Sequence, residues 1–167
     1  MKIAGSGSTS RLYQKLVAEE KIAAGAGGWY SGGGLDSGSI GVYATASQGV
    51  GLDKIEQSID AVLHDLREKP VTVDELERAK KAFIAEFIYE SDSQASLARR
   101  YGEGILVGLS IDEINNWPVA VSKVTAEDVK RVAAKYLDIR NSVTGTLIPT
   151  PPTAESDTTK PATAKKS

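Results

Sequence analysis

Cysteine is absent and histidine occurs once in this chain of 167 residues, and the two gaps exclude most of the chemistry a small domain can carry. Without cysteine there is no disulfide framework and no thiolate nucleophile or ligand, which suits cytoplasm and periplasm equally. A catalytic zinc takes about three protein ligands, and helical zinc motifs set two histidines one turn apart. His64 alone cannot meet that demand, and Glu68 one turn on supplies only half a site. No apolar run reaches the length of roughly 18 residues that a transmembrane helix needs. The opening Met1-Lys2-Ile3-Ala4 leads straight into Gly and Ser and lacks the apolar middle of a signal peptide. A net charge of −2 offers nucleic acid or an anionic membrane no electrostatic attraction.

What is present suits one soluble α+β domain with a real core. Hydrophobic residues make up 41% and charged residues 25%, ordinary values for a globular chain. The segment Gly5-Ser6-Gly7-Ser8-Thr9-Ser10 runs into an amphipathic stretch in which Leu12, Tyr13, Leu16 and Val17 share a face. Ser8, Thr9 or Ser10 is placed to cap a helix starting near Arg11. Residues 23–31 and 38–46 are expected to form an antiparallel hairpin, with Ile40, Val42 and Ala44 on one side and Ser39, Tyr43 and Thr45 on the other. A helix is expected over about 52–67, carrying Leu52, Ile55, Ile59, Val62, Leu63 and Leu66 on its apolar stripe and ended by Lys69-Pro70.

Thr72-Val73-Asp74-Glu75 is a capping-box sequence. It opens a helix that carries Leu76, Ala79, Phe83 and Phe87 and reaches about Tyr89, followed by a helix from Gln94 to about Ile105. A short helix follows Ser110, with Trp117-Pro118 expected to stop or kink it. Thr125 opens the last helix, with Val129, Val132, Ala133, Tyr136 and Leu137 expected inside. Residues 142–148 alternate as a final strand. Residues 150–167, with Pro151, Pro152 and Pro161 and no aromatic or large aliphatic residue, read as a disordered tail. The domain is therefore residues 1–149.

None of the chemistry-bearing residues makes a convincing site. The first loop is not a P-loop, since no Lys-Ser/Thr follows at the required place, and no strand precedes it as a dinucleotide fingerprint requires. Its serines have no base other than His64, which falls beside the polar edge of its helix and reads as exposed. Asp74, Glu75, Asp112 and Glu113 are explained by helix capping, and Asp36, Asp60, Asp65 and Asp92 by solvated surfaces. Arg99-Arg100-Tyr101 is a local basic spot that suits a carboxylate or a helix surface.

Gly5-Ser6-Gly7-Ser8-Thr9-Ser10-Arg11-Leu12-Tyr13 resembles the G-G-G-x-S-S-R-L-[FY] loop and helix in the C-terminal half of the M16 zinc metallopeptidases, the pitrilysin and processing-peptidase-like proteins. Val73-Asp74-Glu75-Leu76-Glu77-Arg78-Ala79-Lys80 is similar to that family's T-x-E-E-L-x-R-A-K helix. Asp92-Ser93-Gln94 and Val143-Thr144-Gly145-Thr146-Leu147-Ile148-Pro149 fall where the family has like segments, so the likeness runs over roughly 3–149. It implies a mostly antiparallel sheet with helices on one face, beginning after the strands and helix with which that half-domain normally opens.

The resemblance also implies what the chain does not do. Family members hold zinc with His-x-x-Glu-His and a distal Glu in the N-terminal half, and none of that is here. The C-terminal half normally adds an Arg and a Tyr, seven residues apart, that stabilise the oxyanion of the scissile carbonyl. Aligned on Arg11-Leu12-Tyr13, those positions are Val17 and Ala24. No catalytic or metal residue is therefore assigned in this chain, and no substrate-binding residue is identified. The implied role is the zinc-free portion of a peptidase whose zinc lies in a preceding half or a paralogous subunit, with an unfolded peptide as substrate. The Gly-rich strand Gly25–Gly28 suits either close packing or an added peptide strand. The alternatives are a non-catalytic assembly scaffold and a binding domain that dimerises through an open sheet edge.

Overall fold

The computed structural model describes residues 1–34 and 36–148; the tail expected over 150–167 lies outside them. The order of elements is α1 (Arg11–Tyr13), which continues as a π-helical segment (Gln14–Glu19), then β1 (Ala23–Ser31), β2 (Ser39–Ala46), α2 (Leu52–Glu68), α3 (Val73–Glu90), α4 (Gln94–Leu106), α5 (Ile111–Asn115), α6 (Trp117–Ser122), α7 (Ala126–Tyr136) and a 3₁₀ turn (Ile139–Asn141). This is the α+β arrangement expected, with helices packed on an antiparallel hairpin.

Apolar periodicity builds the core. Leu12 and Leu16 are fully buried where the first helix faces α2, which contributes Ile55, Val62 and Leu66. Ile22 and Ala23 enter from the start of β1, Val71 from the turn before α3, and Ala133 from α7. On the hairpin, Ala26, Val42 and Ala44 pack inward, as their alternation predicts. Strands β1 and β2 pair antiparallel from Ala23↔Ala46 to Ser31↔Ser39, with a bulge that leaves Ala24 unpaired.

Several expectations give way to tertiary context. Ser10 occupies the N-cap, but its hydroxyl donates to Gly7 O at 2.7 Å instead of accepting. The N–H groups of Arg11 and Leu12 are satisfied by Ile3 and Ala4 carbonyls instead. The helix after Ser110 ends at Asn115, just before Trp117-Pro118 as expected, but the pair also starts α6, with proline in the first turn, where a missing N–H costs nothing. In α7 only Ala133 is buried, while Val132 and Tyr136 are exposed, because α2 covers one narrow stripe of that helix. No residue of α3 is buried; Leu76, Ala79, Phe83 and Phe87 are half-covered. Residues 142–148 are not a strand: Val143 is 99% and Leu147 90% exposed. A strand exists only by pairing, and among the described residues the sheet has two strands and offers this segment no partner.

The first helix ends on Lys21, whose φ of +54° is left-handed, and the Ile22 N–H reaches back to Leu16 O at 3.0 Å. That is a helix-termination geometry glycine ordinarily supplies, because a Cβ is strained there. Lys21→Gly should therefore stabilise the fold by roughly 0.5–1 kcal/mol. Thermal unfolding should show this as a midpoint higher by about 1–4 °C, and a lowered midpoint would contradict it.

Candidate functional site

The loop before α1 is held from two sides. Gly7, at φ +82°, reverses the chain, and Gly5 lies directly on the backbone of β1. A Cβ on Gly5 would meet Gly28 N at 2.8 Å and Gly27 C at 3.0 Å. The glycine of this loop is thus required by close packing of backbone on backbone, and no phosphate cradle is needed to account for it.

Arg11 then reaches across to α3. Its Nε donates to Glu75 Oε1 at 2.7 Å and its Nη2 to Glu75 Oε2 at 2.8 Å, a bidentate pair whose side chains are only 20% and 18% exposed. Glu75 is also the third helical residue of the Thr72 capping box. Its Oε2 accepts from Thr72 N at 2.8 Å and from Thr72 Oγ1 at 3.0 Å, while Thr72 Oγ1 accepts from Glu75 N at 3.2 Å. The Arg11 guanidinium, with help from Thr72, holds the Glu75 carboxyl down at about 2, against an opposing push from burial. The same pair raises Arg11 above its ordinary value.

Beside this pair an open groove of about 470 Å³ runs between the first helix and the α2–α3 connection. Its charges are largely committed. Lys69 pairs with Asp65 at 2.8 Å, and Lys15 lies 3.4 Å from both Glu19 and Glu20. A mixed, internally paired lining of this kind selects no ligand charge.

The other candidates stay apart. His64 is exposed on α2, as its spacing predicts. Among the described residues no group of three His, Asp or Glu stands together to hold a metal. The residues present do not fit a zinc ion. Asp74, Asp112 and Glu113 lie in the first turns of α3 and α5, and Ser110 and Glu113 form a second capping box. Arg100 is not free for a ligand. It donates to Glu90 Oε2 at 3.0 Å and to Phe87 O at 2.9 Å, and stacks 3.8 Å from the centre of the Phe87 ring. Tyr101 donates to Asn115 Oδ1 at 2.7 Å.

Val17 lies half-buried in the π-helical segment, packed against the core. Ala24 is exposed at the bulge of β1, and the π-helical segment packs on that strand. Neither side chain can donate a hydrogen bond, yet both sit on irregular backbone of the kinds that recur beside functional sites. Of the Gly-rich strand, Gly27 is covered by the Tyr43 ring and Gly28 faces Val42 and Met1, so close packing explains both; Gly25 faces open space.

Sequence reasoning missed the Arg11–Glu75 pair, since 64 residues separate the partners and nothing local links them. It also missed a flat aromatic surface on the outer face of the hairpin. Tyr43 lies across Gly27, and Trp29 across Gly41. The signal was there in aromatic residues opposite glycines, but it depends on strand register.

Residues 2–83 match the family model of the peptidase M16 inactive domain. The chain is similar to the inactive peptidase domain of a Bordetella parapertussis protein designated a zinc protease, with 29% identity, a TM-score of 0.78, and coverage of 92% of this chain and 81% of that one. It is also similar to a Bordetella pertussis protein designated a zinc protease, with 28% identity, a TM-score of 0.76, and coverage of 89% and 81%. A protease from Helicobacter pylori shares the fold, with 22% identity and a TM-score of 0.73 over 82% of this chain. The present chain spans only 33% of that protein's length. No curated protein gives a significant match.

Two measurements probe this site. Gly5→Ala should cost about 1–3 kcal/mol, because the added methyl meets fixed backbone instead of a side chain that can move aside; chemical denaturation reads the loss. Glu75 titrates lower in the folded chain, about 2, than its ordinary 4.5. Its stabilisation is thus complete above that ordinary value and is lost as pH falls from there toward 2. Glu75→Gln should be less stable than the parent at neutral pH, and its stability should fall less steeply across that acid window. Parallel curves for the two proteins would show that Glu75 is not the titrating group.

Proposed function

We propose that this chain belongs to the M16 peptidase inactive-domain family, whose model its residues 2–83 match, and that it serves as the zinc-free half of a zinc peptidase. It walls a chamber that holds an unfolded peptide, while the metal and its water are held by a preceding half or a paralogous subunit. The observation that carries this reading is the pairing of a retained scaffold with lost donors. The loop, helix and hairpin match a zinc-protease inactive domain over most of the chain. The two positions from which the resemblance implies oxyanion donors carry Val17 and Ala24. A site with neither ligand nor oxyanion donor has no group to activate water or to stabilise a tetrahedral intermediate. What remains for this half is shape: an extended strand edge and an outer sheet face that a peptide backbone can approach.

A scaffold role without any zinc partner is the second reading, and the missing donors favour it equally. The two part on metal content. The peptidase reading expects stoichiometric zinc in the full protein or its co-purified complex, whereas the scaffold reading expects none.

The chain alone, assayed with unstructured peptides, should show no hydrolysis with or without added zinc. Turnover that depends on zinc and survives repurification would overturn the proposal. In the assembled protein, metal analysis should find the zinc outside residues 1–148, so His64→Ala should leave zinc content and peptide turnover unchanged.

A further inference from the structure

The core is not shared evenly among the helices. The first helix, the hairpin, α2 and α7 converge on one cluster of buried side chains, and of residues 73–122 only Leu76 packs against it. Helices α3 to α6 hold to one another instead. Arg100 of α4 ties to Phe87 O and to Glu90 at the end of α3, and Tyr101 of α4 ties to Asn115 of α5. Ile114 of α5 is buried against Gly104 of α4, and α6 packs along α3.

What joins this group of helices to the rest is thin. Among the described residues, α3 to α6 make at most slight contact with the other helices and strands. Helix α3 lies on the loop that precedes α1, and there a gap of about 50 Å³ separates Lys2, Ile3 and Thr9 from Ala79 and Ala82. Side chains around such a gap forgo the dispersion contacts that would hold two surfaces together. The chain crosses between the two parts twice, at Lys69–Thr72 and at Lys123–Thr125. Two charge ties set the angle between them. One is the bidentate Arg11–Glu75 pair close to the first crossing, and the other is Lys2–Glu86, about 16 Å further along α3.

We propose that residues 73–122 form a hinged arm that swings as one piece about these two connections, with the Arg11–Glu75 pair as the latch that holds it closed. Swinging uncovers little apolar surface, because Leu76 alone leaves the core cluster, so hydrophobic resistance to the motion is small. The polar ties inside the arm are not broken by it, and its helices stay folded. The latch is the main resistance. Its two parallel N–H···O bonds are directional and largely shielded from water, so they fix an angle as well as a distance. Hinges of this kind absorb the change of angle in a few residues at element ends, here the two short connections. The device does not depend on which of the two readings of function holds.

The chain has no cysteine, so introduced cysteines carry spin labels at chosen positions alone. Three pairs at exposed positions suffice: Glu56→Cys with Glu103→Cys across the hinge, Lys81→Cys with Glu103→Cys within the arm, and Glu56→Cys with Ala134→Cys within the body. Arg11→Gln removes the latch and leaves the Thr72–Glu75 cap in place. Pulsed electron double-resonance distances should then show a second population for the first pair, with the open fraction raised about 10–100-fold over the parent, from the order of a per cent or less. The other two pairs should keep their distances. Arg11→Lys, which retains the charge without the fork, should fall between. An unchanged first pair in Arg11→Gln would overturn the latch. Broadening within the arm would overturn the hinge by showing that the helices melt, and broadening of all three pairs would do so by showing that the molecule unfolds as a whole.

Discussion

The Glu75 carboxylate is the point through which the two parts of the molecule are joined. It closes the capping box of α3 with Thr72 and receives both donors of Arg11 from the first helix. Helix α3 contributes no buried side chain, so burial alone fixes it weakly. Leu76 packs on the core beside the ion pair. About three turns further along, Lys2 pairs with Glu86 at 2.9 Å and lies over the Phe83 ring at 5.5 Å. A charge pair that is largely shielded from water and bidentate is worth more than a surface pair. Here it fixes the direction in which α3, and with it α4 to α6, leaves the core.

The opposite side of the first helix is governed by closeness instead of charge. Gly5 touches the backbone of Gly28, which seats the loop on β1, and the helix that follows adopts π-helical turns before ending on the left-handed Lys21. The helix passes directly into β1, whose second residue, Ala24, stands on a bulge. The resemblance implies oxyanion donors in this neighbourhood; the π-helical turns and the bulge carry Val17 and Ala24, neither of which can donate a side-chain hydrogen bond. The scaffold of a site and the chemistry of a site are therefore separable, because backbone geometry is fixed by packing while hydrogen-bond donation depends on single side chains.

Local signals in the sequence were reliable wherever the physics is local. The hairpin and α2 follow from alternation and apolar spacing, and the starts of α3, α5 and α7 from the Thr72, Ser110 and Thr125 caps, each of which needs only a few neighbouring residues. The exposed place of His64 followed from its position on the helix face. Expectations failed where a second element had to supply the partner. Ser10 lost its capping role because the carbonyls of Ile3 and Ala4 were closer to hand. Val132 and Tyr136 stay exposed because α2 covers only part of α7. The alternating segment 142–148 has strand propensity but no neighbouring strand.

By itself the sequence determined the absence of a cysteine or multi-histidine site, the α+β class, and the likeness of the Gly/Ser loop and its helix to a known family. These rest on composition, on periodicity and on short contiguous motifs, all of which are carried along the chain. Only the tertiary structure decided that Arg11 is spent on Glu75, that Arg100 is spent on Glu90 and Phe87, and that Gly5 is a packing residue. It alone decided that Trp29 and Tyr43 form one surface. Each of those depends on residues far apart in sequence meeting at a distance of a few ångströms, and no local pattern encodes which cation meets which carboxylate or which ring crosses which glycine.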